Sequence, residues 1–186
     1  GVDLSLFQPS ELNDVRKELT INQHQKLVLY VGRLEPFKAP DILVRAIANV
    51  PNAVLVVIGG KDGDLGTNWL KKLSNDLGVR NRVYFQEAMA QQFLPPYYSA
   101  ADVLAIPSYH ESFGLACLEA MACATPVVAA NVGALRTLVE EGVTGYLVDK
   151  QDPEEYAKVL NRILENDMHR QNMGLDALRF ASTMGW

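Results

Sequence analysis

The chain has 186 residues, 48% of them hydrophobic and 21% charged, with 17 Lys+Arg against 22 Asp+Glu and a net charge of −5. That composition describes one globular domain able to bury its own core, without a disulfide or structural metal, and excludes the basic footprint of a nucleic-acid or anionic-membrane binder. No apolar run approaches the ~18 residues a membrane span needs and no leader pattern opens the chain, so a cytoplasmic location is expected.

In chain order, short β-branched runs alternate with helical patterns, the signature of βαβ units wound into a parallel sheet. Residues 1–10, with Pro9 and little periodicity, read as a linker remnant ahead of a Rossmann-like α/β domain over 11–167. Strands are expected at Leu27–Val31, Ala53–Ile58, Val83–Phe85, Val103–Ile106, Pro126–Ala129 and Gly145–Val148. Runs such as Val54-Leu55-Val56-Val57-Ile58 are apolar at consecutive positions, as strands covered on both faces require. Helices are expected at Ala39–Asn49, Asn68–Leu77, Gln91–Ala100, Gly114–Ala122, Ala134–Glu140 and Pro153–Asn166, the last opened by Asp152 as N-cap and Pro153 at N1. Residues 168–186 read as a C-terminal tail helix. Cys117 and Cys123, six apart on one expected helix, lie about 9 Å from each other, too far for a disulfide. They read as small buried apolar residues.

A doubly wound sheet binds ligands outside the carboxyl ends of its strands, so the loops there carry the functional information. After the first strand, Gly32-Arg33-Leu34-Glu35-Pro36-Phe37-Lys38 places a planar guanidinium and an ammonium near a helix N-terminus, where both can reach one anion. After the second, four glycines in 59–66 permit close backbone approach to a ligand; no Walker or GxGxxG pattern is present, and Asp62 and Asp64 are either turn residues or a weak cation pair. After the fourth, Glu111-Ser112-Phe113-Gly114-Leu115 enters a helix that carries Glu119. The N–H groups of Phe113, Gly114 and Leu115 can grip a phosphate, with a carboxylate on either side of them. A carboxylate beside a phosphate is useful when it accepts from neutral hydroxyls, so Glu119 suits a ribose diol and Glu111 a hexose hydroxyl. The pattern fits a nucleoside-diphosphate sugar. His110 adjoins it, but one histidine without an orienting partner is a weak signal for a general base.

Val31-Gly32-Arg33-Leu34 with Lys38, the E-x7-E element from Glu111 to Glu119, Ala122–Ala129 and Glu141–Gly145 together resemble the retaining GT-B-fold glycosyltransferases that include sucrose synthases, bacterial-type glycogen synthases and mannosyltransferases. Gly1-Val2-Asp3 with Phe7 and Pro9 resembles their interdomain linker, and Lys38–Leu43 and Ser108–Leu115 look most like the branch that glycosylates inositol phosphate.

The resemblance implies the donor-binding C-terminal half of such an enzyme, needing no metal or cofactor, with a UDP-sugar as the expected donor and the acceptor site in a separate N-terminal domain. By the same resemblance Arg33 and Lys38 bind the diphosphate and, with Glu111, act in transfer. Glu119 holds the ribose and Glu111 the sugar, Gly32 and the Ser112–Leu115 backbone line the donor, and Met89 marks where the base packs. Family members usually carry Gly at Ala124 and a Gly pair at Gly133-Ala134. The alternatives are a sugar-nucleotide epimerase of the same fold and a non-catalytic nucleotide-binding module.

Overall fold

The computed structural model describes residues 1–11 and 14–186. Six strands, β1 (Lys26–Val31), β2 (Ala53–Ile58), β3 (Val83–Gln86), β4 (Val103–Ile106), β5 (Val127–Ala130) and β6 (Gly145–Val148), form one parallel sheet in the order β3-β2-β1-β4-β5-β6. All five pairings are parallel; Val28 pairs with both Leu55 and Val103 across the centre. Among the described residues eight α-helices accompany it: α1 (Val15–Glu18), α2 (Pro40–Ile47), α3 (Leu65–Asp76), α4 (Pro95–Ala100), α5 (Leu115–Ala122), α6 (Leu135–Leu138), α7 (Pro153–Leu164) and α8 (Asp167–Ser182). None of these helices is long and apolar enough to cross a membrane.

The unbroken apolar strands are explained by two separate cores. On one face Val28, Tyr30, Leu55 and Val57 pack with Leu43 and Ile47 of α2, Leu70 of α3 and Tyr156 and Leu160 of α7. On the other, Leu27, Leu29, Val54 and Val56 pack with Tyr98 of α4, Cys117 and Met121 of α5 and Ala177 of α8. Alternate residues of each strand serve opposite faces, so both registers must be apolar.

Helix boundaries differ from expectation where backbone chemistry intervenes. The segment Gln91–Ala100 is not one helix: a 3₁₀ turn covers Gln91–Phe93 and α4 starts at Pro95, because Pro95 and Pro96 supply no N–H to an interior turn. Helix α2 begins at Pro40, since Ala39 is left-handed at φ 53°. Helix α3 starts three residues earlier than expected, α6 spans only Leu135–Leu138, and α1 was not anticipated. Asp152 does cap α7, accepting from the Glu154 N–H at 3.0 Å, and Asn166 caps α8 in the same way through the His169 N–H. Val2 donates to the Met184 carbonyl at 3.0 Å and bridges Gly185, which clasps the first residues to those after α8. Cys117 and Cys123 are both buried and free.

Candidate functional site

The sheet order reverses between β1 and β4, and the loops leaving their carboxyl ends face each other across that crevice. The β1 loop folds into a 3₁₀ turn at Pro36–Lys38, and the Phe37 carbonyl accepts from the Tyr109 N–H at 2.8 Å, tying it to the β4 loop. A third loop, after β5, is fixed to the second: the Ala134 N–H donates to the Glu111 carbonyl at 3.0 Å. Gly133 permits this approach, for it sits at φ 48° and a Cβ there would meet the Glu111 carbonyl oxygen at 2.0 Å. Ala134, by contrast, has φ −63° and ψ −27°, a conformation in which glycine offers nothing over alanine.

Lys38 and Glu111 come together, a direct pairing that the sequence reading did not specify. Lys38 Nζ lies 2.9 Å from Glu111 Oε2, with both side chains largely covered, while Glu111 Oε1 accepts from the Gly114 N–H at 3.1 Å and more weakly from Phe113 at 3.4 Å. Burial pushes the Glu111 carboxyl up, but the Lys38 hydrogen bond, the Gly114 N–H and the Lys38 charge outweigh it and leave its pKa below the ordinary value. Two of the three N–H groups expected to grip a phosphate, those of Phe113 and Gly114, therefore hold this chain's own carboxylate. Arg33 is not part of that pair; it is exposed, 3.4 Å from Glu35, and stands over the Phe37 ring that Lys38 also approaches, at 5.5 and 5.7 Å from the centroid. Ser112 Oγ meets His110 Nε2 at 3.0 Å on the surface. Phe113 and Leu115 are exposed at the mouth of the crevice.

Glu119 lies on α5 in a different setting. It is buried, accepting at 2.8 Å from the Tyr98 hydroxyl on Oε2 and at 2.8 Å from the Gln91 amide on Oε1. Burial raises its pKa, and these two hydrogen bonds pull it part of the way back. A cavity of about 200 Å³ is lined by Gln91, Leu115 and Glu119 together with Asp3 and Phe7. A second, of about 210 Å³, is lined by Gly32, Arg33, Gly60 and Met89, so Met89 and the β1 loop share one space. Gln91 and Tyr98 were not singled out from sequence. The signal available was only that an acid on an apolar helix requires a partner.

Three of the four glycines of 59–66, Gly59, Gly60 and Gly66, let the β1 loop pack closely, while Gly59 and Gly60 also line the cavity that holds Met89. A Cβ on Gly59 would meet the Gly32 carbonyl at 1.8 Å, and those on Gly60 and Gly66 would strike Leu34, so this loop makes room for the β1 loop. Asp62 pairs with Lys71 at 2.8 Å, and Asp64 precedes α3 with extended backbone, which is turn chemistry.

Residues 13–179 match the family model described as glycosyl transferases group 1. The chain is 42% identical over 202 aligned residues to a D-inositol 3-phosphate glycosyltransferase of Thermomonospora curvata, covering all of this chain and 47% of that protein. It spans about half the length of the curated relatives it matches. Among solved structures, sucrose-phosphate synthase from Thermosynechococcus elongatus superposes with TM-score 0.92 at 34% identity, over 100% of this chain and 47% of that one. Anabaena HepE in complex with UDP and glucose superposes with TM-score 0.91 at 30% identity, over 100% and 51%.

Proposed function

The chain belongs to the group 1 glycosyltransferases, and from that premise we propose that it is the donor-binding domain of a retaining enzyme that moves a hexose from UDP-hexose to an acceptor hydroxyl. The observation that carries this reading is the convergence of Lys38, Glu111 and the first N–H groups of α5 in the crevice between β1 and β4, with Glu119 on the same helix. UDP is favoured because HepE, similar over the whole of this chain, is a UDP complex. The identity to inositol-phosphate glycosyltransferases favours a phosphorylated inositol as acceptor, bound by an N-terminal domain outside this chain. Residues 1–10 are the link to it.

Glu111 accepts from the same Lys38 and N–H groups that would hold an anion, so donor entry exchanges one negative group for another. The diphosphate takes Lys38 and the α5 N–H groups; Glu111, released, accepts from a sugar hydroxyl. Arg33, already exposed beside Phe37, swings to the same anion. As the sugar bond breaks, negative charge builds on the diphosphate, and the two cations and the helix N-terminus stabilise it. Glu119 takes the ribose hydroxyls, and the base lies along the space shared by Gly60 and Met89. Retention of configuration follows the family and requires no protein nucleophile. Alone, this domain binds donor and transfers sugar slowly or not at all.

Calorimetric titration of the chain with uridine, guanosine and adenosine diphosphates tests the reading. UDP is expected to bind selectively, and Glu119→Ala to weaken it by about 1.5 to 3 kcal/mol, roughly 10- to 150-fold. Equal binding of the three nucleotides, or an unaffected Glu119→Ala variant, overturns the assignment.

A further inference from the structure

The two described partners of the Glu119 carboxylate are both neutral donors, and both come from the segment between β3 and β4. Tyr98 is wholly buried, and its position is over-determined. Its ring meets Phe7 edge-on at 6.0 Å between centroids, and its backbone carbonyl accepts from Thr125 Oγ1 at 2.6 Å. With ring and backbone both held, the phenol O–H has one place to point, which is Glu119 Oε2. Gln91, at the entrance to the 3₁₀ turn, secures the other oxygen.

A carboxylate oxygen offers about two lone-pair directions. Tyr98 and Gln91 each occupy one, on different oxygens, and leave one free on each. That arrangement accepts two adjacent hydroxyls at once, and because neither partner is a cation the full negative charge stays available to them. Burial of the acid works against ionisation, and the same two hydrogen bonds oppose that tendency. We infer that Tyr98 and Gln91 are positioning residues, which fix the Glu119 carboxylate as a bidentate acceptor for the vicinal diol of the donor's ribose. This rests on the donor-domain reading above, in which Glu119 meets the ribose.

The experiment compares UDP with 2′,3′-dideoxy-UDP, by calorimetry on the 186-residue chain and its variants. The unaltered chain is expected to prefer UDP by tenfold or more. Tyr98→Phe, which deletes one oxygen and keeps the packing, and Gln91→Ala are each expected to cut that preference to about threefold or less, with the dideoxy affinity unchanged. A merely structural role would lower both affinities together or neither. Gln91 is exposed, so Gln91→Ala decides the matter if circular dichroism shows that Tyr98→Phe is unfolded. Full retention of the preference in a folded variant overturns the inference while leaving the donor reading intact, provided Glu119→Gln abolishes the preference. If Glu119→Gln also retains it, or the unaltered chain shows none, the placement of ribose on Glu119 fails and takes this inference with it.

Discussion

The two ends of the E-x7-E element are close in sequence and opposite in physics. Glu111 sits on a turn at the crevice mouth, held by a cation and by backbone N–H groups, with its pKa lowered. Glu119 sits on the helix, enclosed among apolar side chains, held by a phenol and an amide, with its pKa raised. The difference teaches that a motif of two identical residues can encode two settings: one carboxylate held by a cation and backbone N–H groups, the other by neutral side-chain donors. Under the donor reading proposed above, the first rearranges on ligand entry and the second need not.

The comparison breaks most completely at the loop behind Glu111. Gly133→Val would force a side chain against the Glu111 carbonyl at a left-handed φ, and a loss of about 3 kcal/mol or more is expected in urea denaturation. A smaller effect, about 1 to 3 kcal/mol, is expected for Lys38→Met, which leaves a mostly covered carboxylate without its cation. The same variant sharpens the contrast through pH. Because the folded pKa of Glu111 lies below its ordinary 4.5, its pairing stabilises the fold fully above that value and is lost as pH falls through the folded value. The stability gap between the unaltered chain and Lys38→Met is therefore expected to be full at pH 7 and to narrow below pH 4.5; a constant gap would show that Lys38 does not hold the carboxyl down. The smallest effect lies just past the C-terminal end of α5, away from either acid. Ala124 is left-handed at φ 59°, and Ala124→Gly is expected to add about 0.5 to 1 kcal/mol without touching nucleotide binding.

The strands were legible because a parallel sheet covered on both faces leaves an unbroken apolar run such as Ala53–Ile58, and each observed strand lies within one residue of its expected limits. Lys38 and Glu111 were legible because residues following adjacent strands must converge where a parallel sheet reverses its order. Tyr98 and Gln91 were not. They reach Glu119 through a double proline that splits one expected helix into a 3₁₀ turn and α4, and the angle of that break is a property of tertiary packing. Nor could counting glycines in 59–66 distinguish room for a ligand from room for Leu34. The usual Gly at position 124 has a visible cause in the left-handed backbone, which this chain adopts with Ala; at position 134 the helical backbone removes the need.

Cys117 within α5 and Cys123 at its C-cap give this helix a built-in clock. Both thiols are buried, and burial foremost lifts each to a pKa of about 12, so neither presents a thiolate to solvent while the helix is docked. They bracket Glu119, one inside the short helix and one at its C-cap. Alkylation by a small thiol reagent requires local opening of this packing, and its rate at each thiol therefore times the opening of α5 and of the segments that cover it, Gln8 and Ser99 among them at Cys123.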